Sequence, residues 1–347
     1  MKKLNRVLSL TAAAALALSL TACSGGATGE ANSPAAGSNT PASGGESGGS
    51  YKIAVVKQMD HASLDEIAAA ITARLDEIAA ENGVTIEYEV TSGQGDQSVL
   101  RQLGDQAIAD GVDAIIPIAT TAAQVMAVCA EESQTPVIFA AISDPAAAQL
   151  TGIDYVTGTS DALDTKMILD MMFAQNPDTA KVGLLYSLSE ANSTTPIADA
   201  KAYLDEKGIA YTEATANTND EVIAAASSLI ADGVDAIFTP TDNIIMSAEL
   251  AIYEDLIAAG IPHYTGADSF VRNGAFATCG VNYTDLGAQT ADLAYEAICN
   301  GMDAMEDYYQ VAGGIITVNS ETAEAMGIDY TVFEDMGQVV PVTTTLE

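Results

Sequence analysis

The sequence predicts an α/β protein built as two doubly wound parallel-sheet lobes joined by a three-crossing hinge. Three observations lead there. A heptapeptide occurs twice, as Ala109-Asp110-Gly111-Val112-Asp113-Ala114-Ile115 and as Ala231-Asp232-Gly233-Val234-Asp235-Ala236-Ile237. Short apolar runs alternate with amphipathic stretches of helical period, which implies parallel strands covered on both faces. Three stretches interrupt the repeat, so the chain changes lobe three times.

Before the repeat, the chain opens with Lys2, Lys3 and Arg6 and an apolar run over residues 7–20. That is a charged segment followed by a hydrophobic one, as in a secretory signal, and it is short for a membrane span. It ends in Leu20-Thr21-Ala22-Cys23, similar to the bacterial lipobox, at which a signal peptide of residues 1–22 is removed and Cys23 carries the lipid. Two acyl chains anchor a protein stably where one does not. Residues 24–50 are Ser, Gly, Ala, Thr, Pro and Asn with Glu30 and Glu46 as the charged positions, a composition that cannot bury a core. The expected product is therefore a lipidated Cys23 on a flexible 23–50 tether, with an r.m.s. reach of roughly 30 Å.

The body from Tyr51 onward is long enough for two domains. In its first unit Lys52-Ile53-Ala54-Val55-Val56 reads as a strand. A helix over 97–108 then leads through Gly111 into the strand that starts at Val112. The matching segments of the second unit are Lys181-Val182-Gly183-Leu184-Leu185, a helix over 220–230, and Gly233 into Val234. Glycine ends a helix because it accepts the left-handed conformation without strain. Interruptions at 152–160, 276–281 and 313–318 place the lobes at 51–158 plus 275–312 and at 159–274 plus 313–347. Ligands of open α/β sheets sit beyond the carboxyl ends of the strands, so two facing lobes share one cleft.

Charge and composition exclude several functions. The chain carries a formal charge of −36, and loss of Lys2, Lys3 and Arg6 with the signal makes it three units more negative. Such a surface repels nucleic acid and anionic lipid, and a signal peptide stands where a transcription regulator would carry its DNA-binding helices. No Walker A, GxGxxG, HExxH or GxSxG sequence occurs. Gly93-Gln94-Gly95-Asp96 lacks the third glycine of a dinucleotide loop. His61 and His263 have no companion ligands at metal spacing. The expectation is a non-enzymatic binder with no cofactor and no metal. Cys129, Cys279 and Cys299 form no CxxC pair; they read as small buried side chains, with one disulfide plus a free thiol as the alternative.

The strand ends resemble a known family. Met59-Asp60-His61-Ala62-Ser63-Leu64-Asp65, Gln94-Gly95-Asp96-Gln97-Ser98, Ile118-Ala119-Thr120-Thr121-Ala122-Ala123-Gln124 and Ser143-Asp144-Pro145 occur in order in the first half. Ser189-Glu190-Ala191-Asn192-Ser193, Pro240-Thr241-Asp242-Asn243 and Gly266-Ala267-Asp268-Ser269 follow. This ordered set resembles the substrate-binding lipoproteins of ABC transporters that bind tryptophan or tyrosine, with a type I periplasmic-binding-protein fold. Thr121 and Ala62 depart from the family, which carries proline at both places, and either change alters the cleft's shape. The resemblance implies a monomeric extracytoplasmic protein, lipid-anchored to the cell membrane. It would deliver a small solute, an aromatic amino acid first, to ABC permease and ATPase subunits. A sugar, nucleoside or peptide fragment, or a sensor or adhesin role on the same scaffold, are the alternatives. The absence of Trp counts against a sugar, whose rings commonly stack on it.

A zwitterion needs a partner for each charge, because a buried unpaired charge is costly. The carboxylate is expected at the 189–193 loop, on Asn192 and Ser193 and the helix that follows, whose dipole favours an anion. Glu190 opposes this unless it points to solvent, and both side chains are also plausible helix caps. The ammonium is expected at Asp242, with Asp268 second; each is also a natural N-cap. Gln58, Met59, Thr120, Thr121, Ser143 and Asp144 are expected to line the facing lobe.

Overall fold

The computed structural model describes residues 48–345. Cys23, the expected signal and nearly all of the tether lie outside the described residues. The described residues form one compact unit containing two sheets.

The first half runs β1 (Ser50–Lys57), α1 (Ala62–Asn82), β2 (Thr85–Ser92), α2 (Gln97–Ala109), β3 (Ala114–Ile118), α3 (Thr120–Cys129), β4 (Val137–Phe139) and β5 (Val156–Ser160). The second half begins α4 (Thr165–Gln175), β6 (Lys181–Tyr186), a 3-10 turn (Ala191–Ser193), α5 (Thr194–Lys207), β7 (Ala210–Thr215), α6 (Asn219–Asp232) and β8 (Ala236–Thr239). It continues α7 (Asn243–Ala259), β9 (His263–Thr265), α8 (Asp268–Arg272) and β10 (Ala277–Gly280). The chain then gives α9 (Tyr283–Asn300), β11 (Tyr309–Gln310), β12 (Ile315–Asn319), α10 (Ser320–Met326) and β13 (Gln338–Val342).

The strand order is β2-β1-β3-β4-β5-β11 in the first sheet and β7-β6-β8-β9-β10-β12-β13 in the second. All pairings are parallel except β10 with β12. Central strands β3, β5 and β8 are buried at every position, as strands covered on both faces must be.

The repeated heptapeptide does the same work in both sheets. Gly111 and Gly233 take positive φ (66° each) where α2 and α6 end. Asp113 accepts a hydrogen bond from the Lys52 N–H (2.7 Å) and returns its own N–H to the Lys52 carbonyl (2.8 Å). Asp235 repeats this on Lys181 at 2.9 and 2.8 Å. Each copy therefore ties the entry of its third strand to the entry of the first, which sets the register of the sheet centre.

Two lobe boundaries are corrected. Thr159 and Ser160 pair with Tyr309 and Gln310, so the first sheet continues to Ser160 instead of ending at residue 158. Residues 275–280 do not return to the first lobe: β10 pairs with β9 and β12, and Phe276 packs edge-on against Tyr264 with ring centroids 5.3 Å apart. The return comes after Gly280, where α9 lies against α1. Both errors have one cause. Each sheet owns a fifth strand with no counterpart in the heptapeptide; the expected boundary falls inside β5 in the first sheet and before β10 in the second, whereas the crossing follows each strand. Cys129, Cys279 and Cys299 are free thiols, buried only at Cys279.

Candidate functional site

The carboxyl ends of β1, β3, β4 and β5 face those of β6, β8 and β9, and the loops leaving them enclose a cavity of about 20 Å³ between the sheets. That is room for about one water. From the first lobe His61, Ser63, Leu64, Ile67, Ala119 and Thr120 line it, with Ala141, Ser143, Asp161 and Tyr283. From the second come Asn192, Thr241, Asp242, Asn243, Met246, Ala267 and Phe270.

Five side-chain hydrogen bonds cross between the lobes. Gln58 Nε2 donates to Glu190 Oε1 (2.7 Å), His61 Nε2 meets Asn243 Oδ1 (3.0 Å), and Thr195 Oγ1 donates to Asp144 Oδ2 (2.8 Å). Ser143 Oγ meets Thr241 Oγ1 at 2.9 Å, and the Ser63 and Ser269 hydroxyls pair. The arrangement is a closed cleft.

The cavity is acidic and rich in acceptors. Asp161, 4% exposed, ends β5 and accepts from Ser143 Oγ (2.9 Å) and Tyr283 OH (3.1 Å). Burial raises its pKa. Glu190 is 3% exposed. Burial first, and the nearby Asp242 second, push its carboxyl up to about 7. No Lys or Arg lines the cavity. Four polar atoms in and beside it are buried without a partner: His61 Nδ1, Thr120 Oγ1, Asn192 Oδ1 and Asp268 Oδ1. Buried polar atoms are normally satisfied, so the three on cavity-lining residues mark where a ligand would bond.

Ala119 (φ 77°) and Ala141 (φ 60°) line the same space in a backbone conformation that alanine seldom adopts. Such strain concentrates at binding sites. Ala119 precedes α3 and offers that helix no side-chain cap. The start of α3 borders the cavity at Ala119 and Thr120; Gln58 Oε1 takes its Thr121 N–H, and the Thr120 hydroxyl is left to meet an anion at the helix end.

Of the expected residues, Thr120, Ser143, Asn192 and Asp242 line the cavity. Gln58 stands behind Glu190, and its Oε1 accepts the Thr121 N–H at 3.1 Å. Asp144 caps the turn at Ala147 and reaches across to Thr195. Met59 is half-buried at the edge of the core. His263 lies away from the cleft, held by Glu249 and Thr239.

Two expected roles change. Asp242 receives N–H groups from Ser187, Ile244 and Ile245 and the Ser193 hydroxyl. It is the N-cap of α7, and with four donors already bound it has little left for an ammonium. Asp268 begins α8 and pairs with Arg272 at 3.1 Å. At the 189–193 loop Glu190 turns inward, which disfavours a carboxylate there. Asn192 Nδ2 and the Ser193 hydroxyl are spent on Thr241 O (2.6 Å) and Asp242 (2.7 Å). Sequence reading missed Asp161 and Tyr283, which no motif marks.

A family model described as ABC transporter substrate binding protein matches residues 52–334, nearly the whole described body. The chain belongs to that family. Its members are extracytoplasmic binding subunits of ABC transporters. The chain is 28% identical over 251 residues to the tyrosine-binding protein of Clostridioides difficile (strain R20291), covering 71% of this chain and 72% of the relative. Among solved structures it resembles an ABC domain from Streptococcus pneumoniae in complex with L-Trp: 29% identity, TM-score 0.75, 84% of this chain and 100% of the other. A ligand-free, open substrate-binding protein with adhesive properties from Clostridium difficile matches with 25% identity and TM-score 0.63, over 85% and 100% of the chains. The chain as a whole superposes better on the L-Trp complex than on the open, ligand-free protein.

Proposed function

We propose that this protein binds an aromatic amino acid outside the cytoplasm and presents it to an ABC importer, with Cys23 as its lipid anchor. The observation that carries the ligand class is the cavity's lining, which combines charged and polar groups with large apolar side chains. Among the polar groups are the Asp161 carboxylate, held by Ser143, and the unpartnered Thr120 hydroxyl at the start of α3. An α-ammonium fits the carboxylate and an α-carboxylate fits the helix end. Among the apolar groups Leu64, Ile67, Met246 and Phe270 belong to one core cluster, and burying a large side chain against them stabilises the complex by roughly 1.5–3 kcal/mol. The relatives named for tyrosine and L-Trp support the same class.

Calorimetry of the purified protein with tyrosine, tryptophan, a nucleoside and a pentose tests this. The expected result is micromolar or tighter binding of at least one aromatic amino acid; binding of the nucleoside or sugar alone would overturn it.

The anchor is tested separately. Cys23→Ala in the native host is expected to release the protein from the membrane fraction or leave its signal uncut. A variant that is processed and still membrane-bound would refute the lipid assignment.

A further inference from the structure

A chain of hydrogen bonds across the cleft decides which way the His61 ring is protonated. It starts at a fixed donor, the Thr121 backbone N–H, which bonds to Gln58 Oε1 (3.1 Å). That contact turns the Gln58 amide so that Nε2 donates to Glu190 Oε1 (2.7 Å). The other oxygen, Glu190 Oε2, accepts from Asn243 Nδ2 (2.6 Å). With Glu190 ionised, the Asn243 amide is then oriented with Oδ1 toward His61 Nε2 at 3.0 Å. An amide oxygen only accepts, so Nε2 must carry the hydrogen. In a neutral imidazole the second nitrogen is then a bare acceptor, and His61 Nδ1 is closed off from solvent with no protein partner. Burial holds the ring neutral by lowering its pKa to about 4. The side chain stands at the N-cap position of α1 and caps nothing; its Nε2 side is used in the bond to Asn243 across the cleft, and its Nδ1 side is left over.

His61 lines the cavity, so the Nδ1 lone pair is open there to an N–H or O–H donated by a water or by the ligand. An α-ammonium has a stronger partner in the Asp161 carboxylate, since hydrogen bonds between charged groups are roughly twice as strong as neutral ones. What remains is a donor on the ligand's side chain. We infer that His61 is the specificity-determining residue of the cleft, its Nδ1 accepting the ring-borne donor of the ligand, so that the site takes aromatic amino acids with a phenol or indole hydrogen and rejects phenylalanine. This rests on the amino-acid reading proposed above and deepens it. The Gln58–Glu190–Asn243 chain is the positioning device, and because its members come from both lobes it is complete only in the closed cleft.

The test is calorimetry with tyrosine, tryptophan and phenylalanine on the wild type, His61→Leu and His61→Asn, with the melting temperature of each unliganded protein as the check on folding. In the wild type, tyrosine or tryptophan should bind about 10- to 100-fold more tightly than phenylalanine, the range expected when a buried acceptor is left unpaired. His61→Leu should bring the preferred ligand down to the level of phenylalanine while leaving phenylalanine within about threefold of its wild-type value. Asparagine places an amide oxygen near the former Nδ1, so His61→Asn should recover part of the preference. A leucine variant that keeps the wild-type preference overturns the inference. So does an equal loss for all three ligands, which would place His61 at the head group or confine its role to closing the cleft through Asn243. Binding of none of the three by the wild type would mean that the amino-acid reading itself has failed.

Discussion

Asp161→Asn is expected to weaken binding of the aromatic amino acid by about 100-fold or more, close to 3 kcal/mol, at unchanged fold. Asp161 is the buried carboxylate that ends β5 and points into the cavity, where Ser143 and Tyr283 hold it from two sides. Asparagine keeps nearly the same shape and can keep both hydroxyl contacts, because each hydroxyl rotates to suit its partner. What it removes is the negative charge opposite the ammonium. The matching substitution Asp242→Asn should act differently. It strips charge from a cap that holds Ser187, Ser193, Ile244 and Ile245, so its main cost falls on stability. Calorimetry and thermal unfolding of the pair separate the two roles. Equal affinities for Asp161→Asn and wild type would show that the ammonium binds elsewhere.

The second large effect is an on–off one. A cavity of about 20 Å³ cannot admit an aromatic side chain, so the lobes must separate before a ligand enters, a hinge closure of the usual two-domain kind. Ser63 and Ser269 face each other across the closed cleft through their hydroxyls. Replacing both with cysteine is expected to give a disulfide under oxidising conditions that holds the lobes shut. Binding should then fall to the fraction of molecules left unbridged and return fully on reduction. Full binding by quantitatively cross-linked protein would show that ligand reaches the cavity without opening. The native thiols at Cys129, Cys279 and Cys299 are unpaired, so the single variants Ser63→Cys and Ser269→Cys serve as controls.

The fold was legible where one physical constraint acts on a short stretch of chain. The Ala-Asp-Gly-Val-Asp-Ala-Ile repeat encodes a helix stop, a strand start and an aspartate that ties neighbouring strands, and each of these is local. The fifth strands β5 and β10 carry no such signature. Their membership depends on partners far away, Tyr309 for Thr159 and Val318 for Ala277. The site was legible to a lesser degree, for a related reason. Strand ends could be located, so Thr120, Ser143, Asn192 and Asp242 were placed at the cavity. Their roles could not, because capping a helix and holding an ammonium call for the same aspartate. Asp242 caps; Asp161 is the acid left facing the cavity, and its hydroxyl partner Tyr283 lies 122 residues away. The strained Ala119 and Ala141 give no sign in the sequence, since alanine is not a residue that announces positive φ. Nor could the His61 tautomer be read, as it is set by Asn243, 182 residues distant.

The central claim, that this cleft holds an aromatic amino acid by its two charges and its ring, is tested most directly by a crystal structure of the protein grown with tyrosine or tryptophan. The expected density places the ammonium against Asp161, the carboxylate at Thr120 and the α3 N-terminus, and the ring between Leu64, Ile67, Met246 and Phe270. A ligand bound outside the cavity, or one lying with its carboxylate toward Asp161 and its ammonium at the helix end, would contradict the account.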